Sequence, residues 1–219
     1  DSSDDEAGHG RRVASVFSPP VSDIVQRGLK VSQNLYMQNL LLMVGAQQAL
    51  AEPSKRPFRS TETYGTDALA AYLEKIGVPR GSVLLEDGAG LSRRNLLSAD
   101  ALTRLLVHLG SAPEAAAFRL GLPIAGVDGS LRARMQKTAA EGRVHAKTGY
   151  MAYTWSLAGY AASAANERLA FVLLLNNYSP AAGAARGSAE LDTIAVMLAA
   201  LEERSLPAHE PTTAVSTLP

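Results

Sequence analysis

Arg143-Val144-His145-Ala146-Lys147-Thr148-Gly149-Tyr150 runs directly into the apolar, β-rich stretch from Met151 to Ala161. The Lys-Thr-Gly triplet lines up a fixed cation, a hydroxyl donor and a residue without a side chain. Lys147 suits a ligand carboxylate, Thr148 adds a hydrogen bond to it, and Gly149 lets a ligand backbone come close. On an edge strand, whose outer backbone groups are unpaired, the triplet becomes a rail along which an extended peptide can add as a further strand. His145 precedes Lys147 by two residues and so shares its face of the strand, where packing is its expected role.

A second polar triplet lies far upstream, in Lys30-Val31-Ser32-Gln33-Asn34-Leu35-Tyr36. Ser32 can pass a proton to a leaving amine, and the Asn34 amide can donate to a substrate carbonyl while accepting from a neighbouring cation. Ser and Asn are also the residues that cap helices, so a purely structural turn is the alternative. A Ser-His-Asp relay drawn from Ser32, His145 and Asp87 lacks the Gly-x-Ser-x-Gly elbow that would present such a serine.

The surrounding pattern predicts an α+β chain. Ser22 or Asp23 caps a short helix ending near Gly28, and residues 35–50 form a largely buried helix that Pro53 stops. Thr66 or Asp67 caps a helix to about Ile76, and residues 83–85 make a short strand. Ser98 caps an amphipathic helix with Leu102, Leu105, Leu106 and Leu109 on one face and His108 partly buried within it. Pro113 opens a helix to about Leu120, residues 122–129 form a packed loop, and Ser130 caps a helix to about Thr138. Strands follow at 144–147, 154–162 and 169–176, the last apolar enough to be buried on both faces. A final helix over 188–203 lays Ala195, Leu198 and Leu201 on the sheet.

Composition removes several classes of function. Lys plus Arg and Asp plus Glu both total 21, which leaves no basic excess for nucleic acid. There is no cysteine, hence no disulfide, thiol nucleophile or thiolate metal site. The histidines are not spaced as metal ligands, and neither a metal nor a cofactor is expected. The Asp87-Gly88-Ala89-Gly90 loop lacks the third glycine and the βαβ setting of a dinucleotide site.

Five segments in this order resemble the D-alanyl-D-alanine carboxypeptidase/endopeptidase family of low-molecular-mass class C penicillin-binding proteins, the S13 peptidases. They are the Phe17-Ser18-Pro19-Pro20 approach through Ser32-Gln33-Asn34, then Glu86-Asp87-Gly88-Ala89-Gly90-Leu91-Ser92-Arg93, Leu122-Pro123-Ile124-Ala125-Gly126-Val127-Asp128-Gly129-Ser130-Leu131, Ala146-Lys147-Thr148-Gly149, and Ser156-Leu157-Ala158-Gly159-Tyr160. The resemblance implies a β-lactamase/transpeptidase-like, penicillin-recognising fold, with an antiparallel sheet covered by helices beside a helical lobe. It divides the chain into a flexible lead (1–16), the C-terminal part of one such domain (17–205, helical to about 140 and sheet-bearing from about 141), and a loose tail (206–219).

It also implies roles: Ser32, Asn34 and Lys147 catalytic, with Thr148, Gly149 and Tyr150 binding substrate. The family's usual threonine and serine are replaced here by Tyr150 and Ala89. The family acylates the serine of an upstream Ser-x-x-Lys motif, yet no serine in this chain has a lysine three residues later. The fold is therefore expected to be incomplete, and the nucleophile to lie on an N-terminal segment of the same protein. The implied activity is hydrolysis of peptidoglycan stem peptides through an acyl-enzyme, inhibited by β-lactams, in the periplasm or outside the cell at the envelope. A cell-wall-peptide binding module that has lost the nucleophile is the alternative, and a β-lactamase-like hydrolase a third.

Overall fold

The computed structural model describes residues 13–51, 59–179 and 187–205. Most of the expected flexible lead, Pro53 and the expected tail lie outside the described residues.

Helix α1 (Val21–Lys30) starts after Pro20, whose carbonyl accepts from Asp23 N and Ile24 N at 3.0 and 3.2 Å. Ser22 and Asp23 therefore sit inside the first turn rather than capping it, and Ser22 Oγ donates to Asp23 at 3.2 Å. After a short break α2 (Asn34–Ala51) begins, so Asn34 is helical rather than part of a turn. α3 (Thr61–Lys75) starts earlier than the pattern predicts, because Ser60 Oγ accepts from Thr63 N at 3.1 Å and caps it ahead of Thr66 and Asp67. α2 and α3 cross where two glycines meet: a Cβ on Gly45 would sit 1.8 Å from Thr61 O, and one on Gly65 2.6 Å from Leu41 O.

α2 is not largely buried. Leu41 and Gly45 are buried, whereas Leu35, Met43, Val44 and Leu50 are exposed. Among the described residues α1 and α3 cover only one stripe of it, and an all-round apolar helix then shows its other flank to water.

Two short strands, β1 (Val83–Leu84) and β2 (Leu96–Leu97), pair antiparallel and enclose the Asp87 loop. At such a length β2 offers no periodicity to read. Ser98 caps α4 (Ala99–Ser111) as expected, accepting from Ala101 N at 3.1 Å. His108 is exposed rather than partly buried, its ring edge-on to Tyr72 at 6.0 Å. α5 (Ala115–Gly121) follows. The helix expected from Ser130 does not form. A single 3-10 turn (Gly129–Leu131) leads into further turns in which Met135 and Lys137 take φ near +58 and +57°, incompatible with a continuous helix.

The sheet is antiparallel in the order β3 (Val144–Met151), β4 (Thr154–Ala162), β5 (Arg168–Asn176). β3 runs beyond the expected end to Met151 and carries the whole Lys-Thr-Gly-Tyr run. One face packs Val144, Ala146, Leu157, Ala161 and Phe171 against Leu191, Ala195 and Ala199 of α6 (Gly187–Ala200). The other sets Tyr160 against Leu106 and Leu122, with the Tyr160 hydroxyl donating to Leu106 O at 2.6 Å. β5 has one neighbour in the sheet, so only Phe171 in it is buried and the rest of the expected two-sided burial is partial. α6 ends at Ala200, which leaves Leu201 exposed instead of on the sheet.

Two glycines show how tightly β3 and β4 are set. A Cβ at Gly159 would meet the His145 carbonyl at 2.1 Å, whereas one at Gly149 would meet only the Ser156 side chain, its hydroxyl at 2.2 Å. Backbone cannot give way as a hydroxyl rotor can. Chemical denaturation should find Gly159→Ala destabilised by about 1–3 kcal/mol or more, and Gly149→Ala by clearly less.

Candidate active site

The Ser32 turn is built by the end of α1. Gln33 N reaches back to Gly28 O at 2.9 Å, and Ser32 takes the left-handed conformation at φ 57° in which helices often stop. Glycine is the usual occupant, and a serine there costs about 1–3 kcal/mol. That conformation aims the Ser32 hydroxyl at β3, and Asn34 opens α2 one residue beyond Gln33.

Lys147 comes to meet it. Its Nζ donates to Ser32 Oγ at 2.8 Å and to Thr148 O at 2.7 Å, joining two triplets 115 residues apart. Burial pushes the Lys147 ammonium below its usual pKa, because removal from water penalises the charged form.

β3 is the sheet edge, but only part of that edge is open. Ala146 N donates to Pro123 O and Ala125 N to Val144 O, both at 2.9 Å, so the 122–126 segment seals the first half. Hydrogen bonding alternates along an antiparallel strand. Outward groups therefore fall on 144, 146, 148 and 150, and those of Thr148 and Tyr150 lie beyond the seal. Gly149 faces across to Ser156, its register partner, where a Cβ would crowd the Ser156 hydroxyl, so its lack of a side chain also serves strand packing.

Thr148 Oγ1 lies 2.8 Å from Ser130 Oγ. Tyr150 is exposed, and its ring lies 5.5 Å from Trp155, which in turn meets Tyr178 edge-on at 5.7 Å. Together Ser32, Asn34, Lys147, Thr148, Gly149 and Tyr150 border one cleft of about 1260 Å³.

The opposite wall is the Asp87 loop. Its carboxylate accepts from Gly90 N, Leu91 N and Ser92 N at 2.8, 3.0 and 2.8 Å and from Asn95 Nδ2 at 2.8 Å. Burial raises the Asp87 pKa, but these donors outweigh it and hold the carboxyl below its ordinary value. Gln38 of α2 anchors the loop by accepting from Gly88 N at 2.8 Å. The loop thus closes on Asp87, without a hydroxyl at position 89.

No Ser-His-Asp relay forms, since His145 Nδ1 lies 3.4 Å from Arg119 O and the Asp87 oxygens serve their own loop. Among the described residues no group of three His, Asp or Glu side chains gathers as a metal site.

Arg134 also borders the cleft, though nothing in its sequence setting marked it. Its guanidinium is spent on Asp192, at 2.6 to 3.1 Å, and on Ser188 O at 3.4 Å, which ties α6 to the turns before β3. In sequence Ser130 reads as a helix cap, and only the fold brings it to Thr148.

The family model for D-Ala-D-Ala carboxypeptidase 3 (S13) matches residues 3–201. The D-alanyl-D-alanine carboxypeptidase of Actinomadura sp. (strain R39) is 37% identical over 193 residues, which is 85% of this chain and 33% of that relative. D-alanyl-D-alanine carboxypeptidase DacB of Haemophilus influenzae is 31% identical over 172 residues, 78% of this chain and 34% of the relative. The chain therefore spans about a third of the curated relatives it matches. Penicillin binding protein 4 of H. influenzae, solved in complex with a β-lactam, superposes with a TM-score of 0.68 at 28% identity, over 82% of this chain and 40% of that one. The mixed helices and antiparallel sheet are those of the penicillin-binding proteins.

The half-buried Lys147 predicts that an anion held by it would be bound in a pH-dependent way. Its pKa is lowered in the fold, so the unfolded chain holds that proton to higher pH. Between the lowered value and the ordinary one near about 10.4, this group favours folding more as pH rises. Anion binding runs the other way, because the cation is lost through the same window. The affinity of a carboxylate-terminated peptide, followed by calorimetry, should begin to fall below the pH at which a free lysine titrates. In Lys147→Arg, whose guanidinium stays charged, that alkaline fall should vanish.

Proposed function

This chain belongs to the D-Ala-D-Ala carboxypeptidase 3 (S13) family, and we propose that it is the C-terminal portion of a serine-type D-Ala-D-Ala carboxypeptidase/endopeptidase acting on peptidoglycan peptides. The observation that carries the proposal is the 2.8 Å contact between Lys147 and Ser32 in a cleft bordered by an open strand edge.

Each group then has a part. Thr148 and Lys147 hold the terminal carboxylate of the D-alanyl-D-alanine peptide, which lies along β3 as an added strand. A serine on a segment N-terminal to this chain attacks the scissile carbonyl; the Tyr150 N–H, pointing outward beyond the seal, helps to stabilise the oxyanion. Ser32 relays the proton given up by the attacking serine to the departing D-alanine amine, and Lys147 at 2.8 Å keeps its hydroxyl polarised. Asn34 orients the peptide carbonyl. Water then resolves the acyl-enzyme. A β-lactam presents the same carboxylate and carbonyl and acylates the same serine.

The exposed flank of α2, with Leu35, Met43 and Leu50, supports a place for the N-terminal segment. An apolar stripe of that extent is ordinarily covered. Among the described residues no helix is long and apolar enough to cross a membrane; a peptidoglycan substrate places the protein in the periplasm or outside the cell, at the envelope.

The alternative reading is a module that binds cell-wall peptide without cleaving it. Fluorescent penicillin added to the protein at its natural full length separates the two. The peptidase reading expects a persistent covalent label, slowed about 100-fold or more in Ser32→Ala and about ten- to a hundredfold in Lys147→Ala. A protein that never labels is the binding module, and one that releases the label rapidly is a β-lactamase-like hydrolase.

A further inference from the structure

Ser130 is the one hydroxyl bonded to Thr148, at 2.8 Å, among the described residues, and it comes from outside the sheet. A hydroxyl carries one proton and two acceptor sites. If Thr148 donates to Ser130, it turns lone pairs toward the cleft and repels an anion. If Ser130 donates to Thr148, the Thr148 proton is left to point at the anion, and the two bonds polarise one another. A carboxylate beside Lys147 selects the second arrangement.

The fold holds Ser130 where this matters. Its neighbour Leu131 is fully buried and accepts from Gly126 N at 3.1 Å. On the other side Gly129 has φ 56° and no room for a side chain, since a Cβ there would sit 2.4 Å from Lys30 O. Asp128 takes Ile124 N at 2.8 Å and Lys30 Nζ at 2.6 Å. Lys30 also donates to Leu122 O at 2.6 Å. The residues that seat Ser130 are thus bound both to β3, just before Lys147, and to the end of α1, just before Ser32.

We infer that Ser130 is a positioning residue for carboxylate recognition: it donates to Thr148 Oγ1 and so turns the Thr148 proton onto the substrate's terminal carboxylate. The inference rests on the proposed role of Lys147 and Thr148 as carboxylate holders. It makes Ser130 matter for a charged terminus and not for a neutral one, because a hydrogen bond to an ionised acceptor gains most from an aligned donor.

The test uses the protein at its natural full length and two probes. Both are hydroxyethylene isosteres of D-alanyl-D-alanine, which no nucleophile can cleave; one ends in a free carboxylate and the other in a carboxamide. Calorimetry on the wild type should show the acid bound more tightly than the amide. Ser130→Ala should weaken the acid by about five- to tenfold and leave the amide unchanged, and Ser130→Thr should restore the acid. If Ser130→Ala weakens both probes equally, or neither, the positioning role is overturned while the carboxylate reading stands. If the wild type itself does not distinguish acid from amide, the carboxylate reading falls, and this inference with it.

Discussion

The seating of residues 122–131 against β3 is the constraint on which the rest depends. Two backbone hydrogen bonds of 2.9 Å, Ala146 N to Pro123 O and Ala125 N to Val144 O, extend the sheet by one irregular strand and stop short of Lys147. A sheet edge open along its whole length invites pairing with any extended chain. Sealed to Ala146, this one leaves the Thr148 N–H and the outward groups of Tyr150 beyond the seal, while the Thr148 carbonyl accepts from the Lys147 cation. The same segment takes Lys30 onto Asp128 and Leu122 O, which fixes the end of α1 and with it the Ser32 turn. The loop therefore ties the sheet to the end of α1, and this tie supports the 2.8 Å approach of Lys147 to Ser32.

The regular elements were legible where one local signal sufficed. Ser98 announced α4 because its hydroxyl bonds three residues on, whatever the tertiary setting. β4 over Thr154–Ala162 and β5 were legible from their apolar runs between polar turns. Reading failed where two local signals competed. Ser60 and Thr66 are both fair caps, and nothing in the sequence ranks the first above the second. Ser130 has a cap's chemistry but follows Gly129, whose left-handed φ no helix continues and whose side-chain space is taken by Lys30 O, a neighbour distant along the chain. Burial was harder still. The α2 sequence states that it is apolar, and only packing decides which flank is covered.

The two triplets were legible for a different reason: they are chemical rather than conformational signals. A cation, a hydroxyl and an amide in short motifs keep their chemical meaning whatever fold surrounds them. Their supports were not legible. Ser32 breaks the preference for glycine at a left-handed helix end, and no residue type reveals its own φ. Arg134 resembles any surface arginine until Asp192, far along the chain, closes on its guanidinium. Supports of this kind are pairings across long sequence separations, and no window along the chain contains both partners.

Charge explains why the site must be built so locally. With 21 basic and 21 acidic residues the chain carries no net charge to draw an anion from a distance. Long-range steering belongs to molecules with an uneven charge distribution. On the proposed reading, capture falls to the partly buried Lys147 ammonium, whose attraction the lowered dielectric of the cleft strengthens at contact while water and salt screen it farther out. A short-range cation discriminates by geometry, since an anion must arrive with its neighbours already aligned. On the proposed reading a peptide laid along β3 would meet that condition, its terminus arriving at Lys147 and Thr148 together. An anion without a strand-forming backbone meets the same charge but not the rail, and so gains little from it.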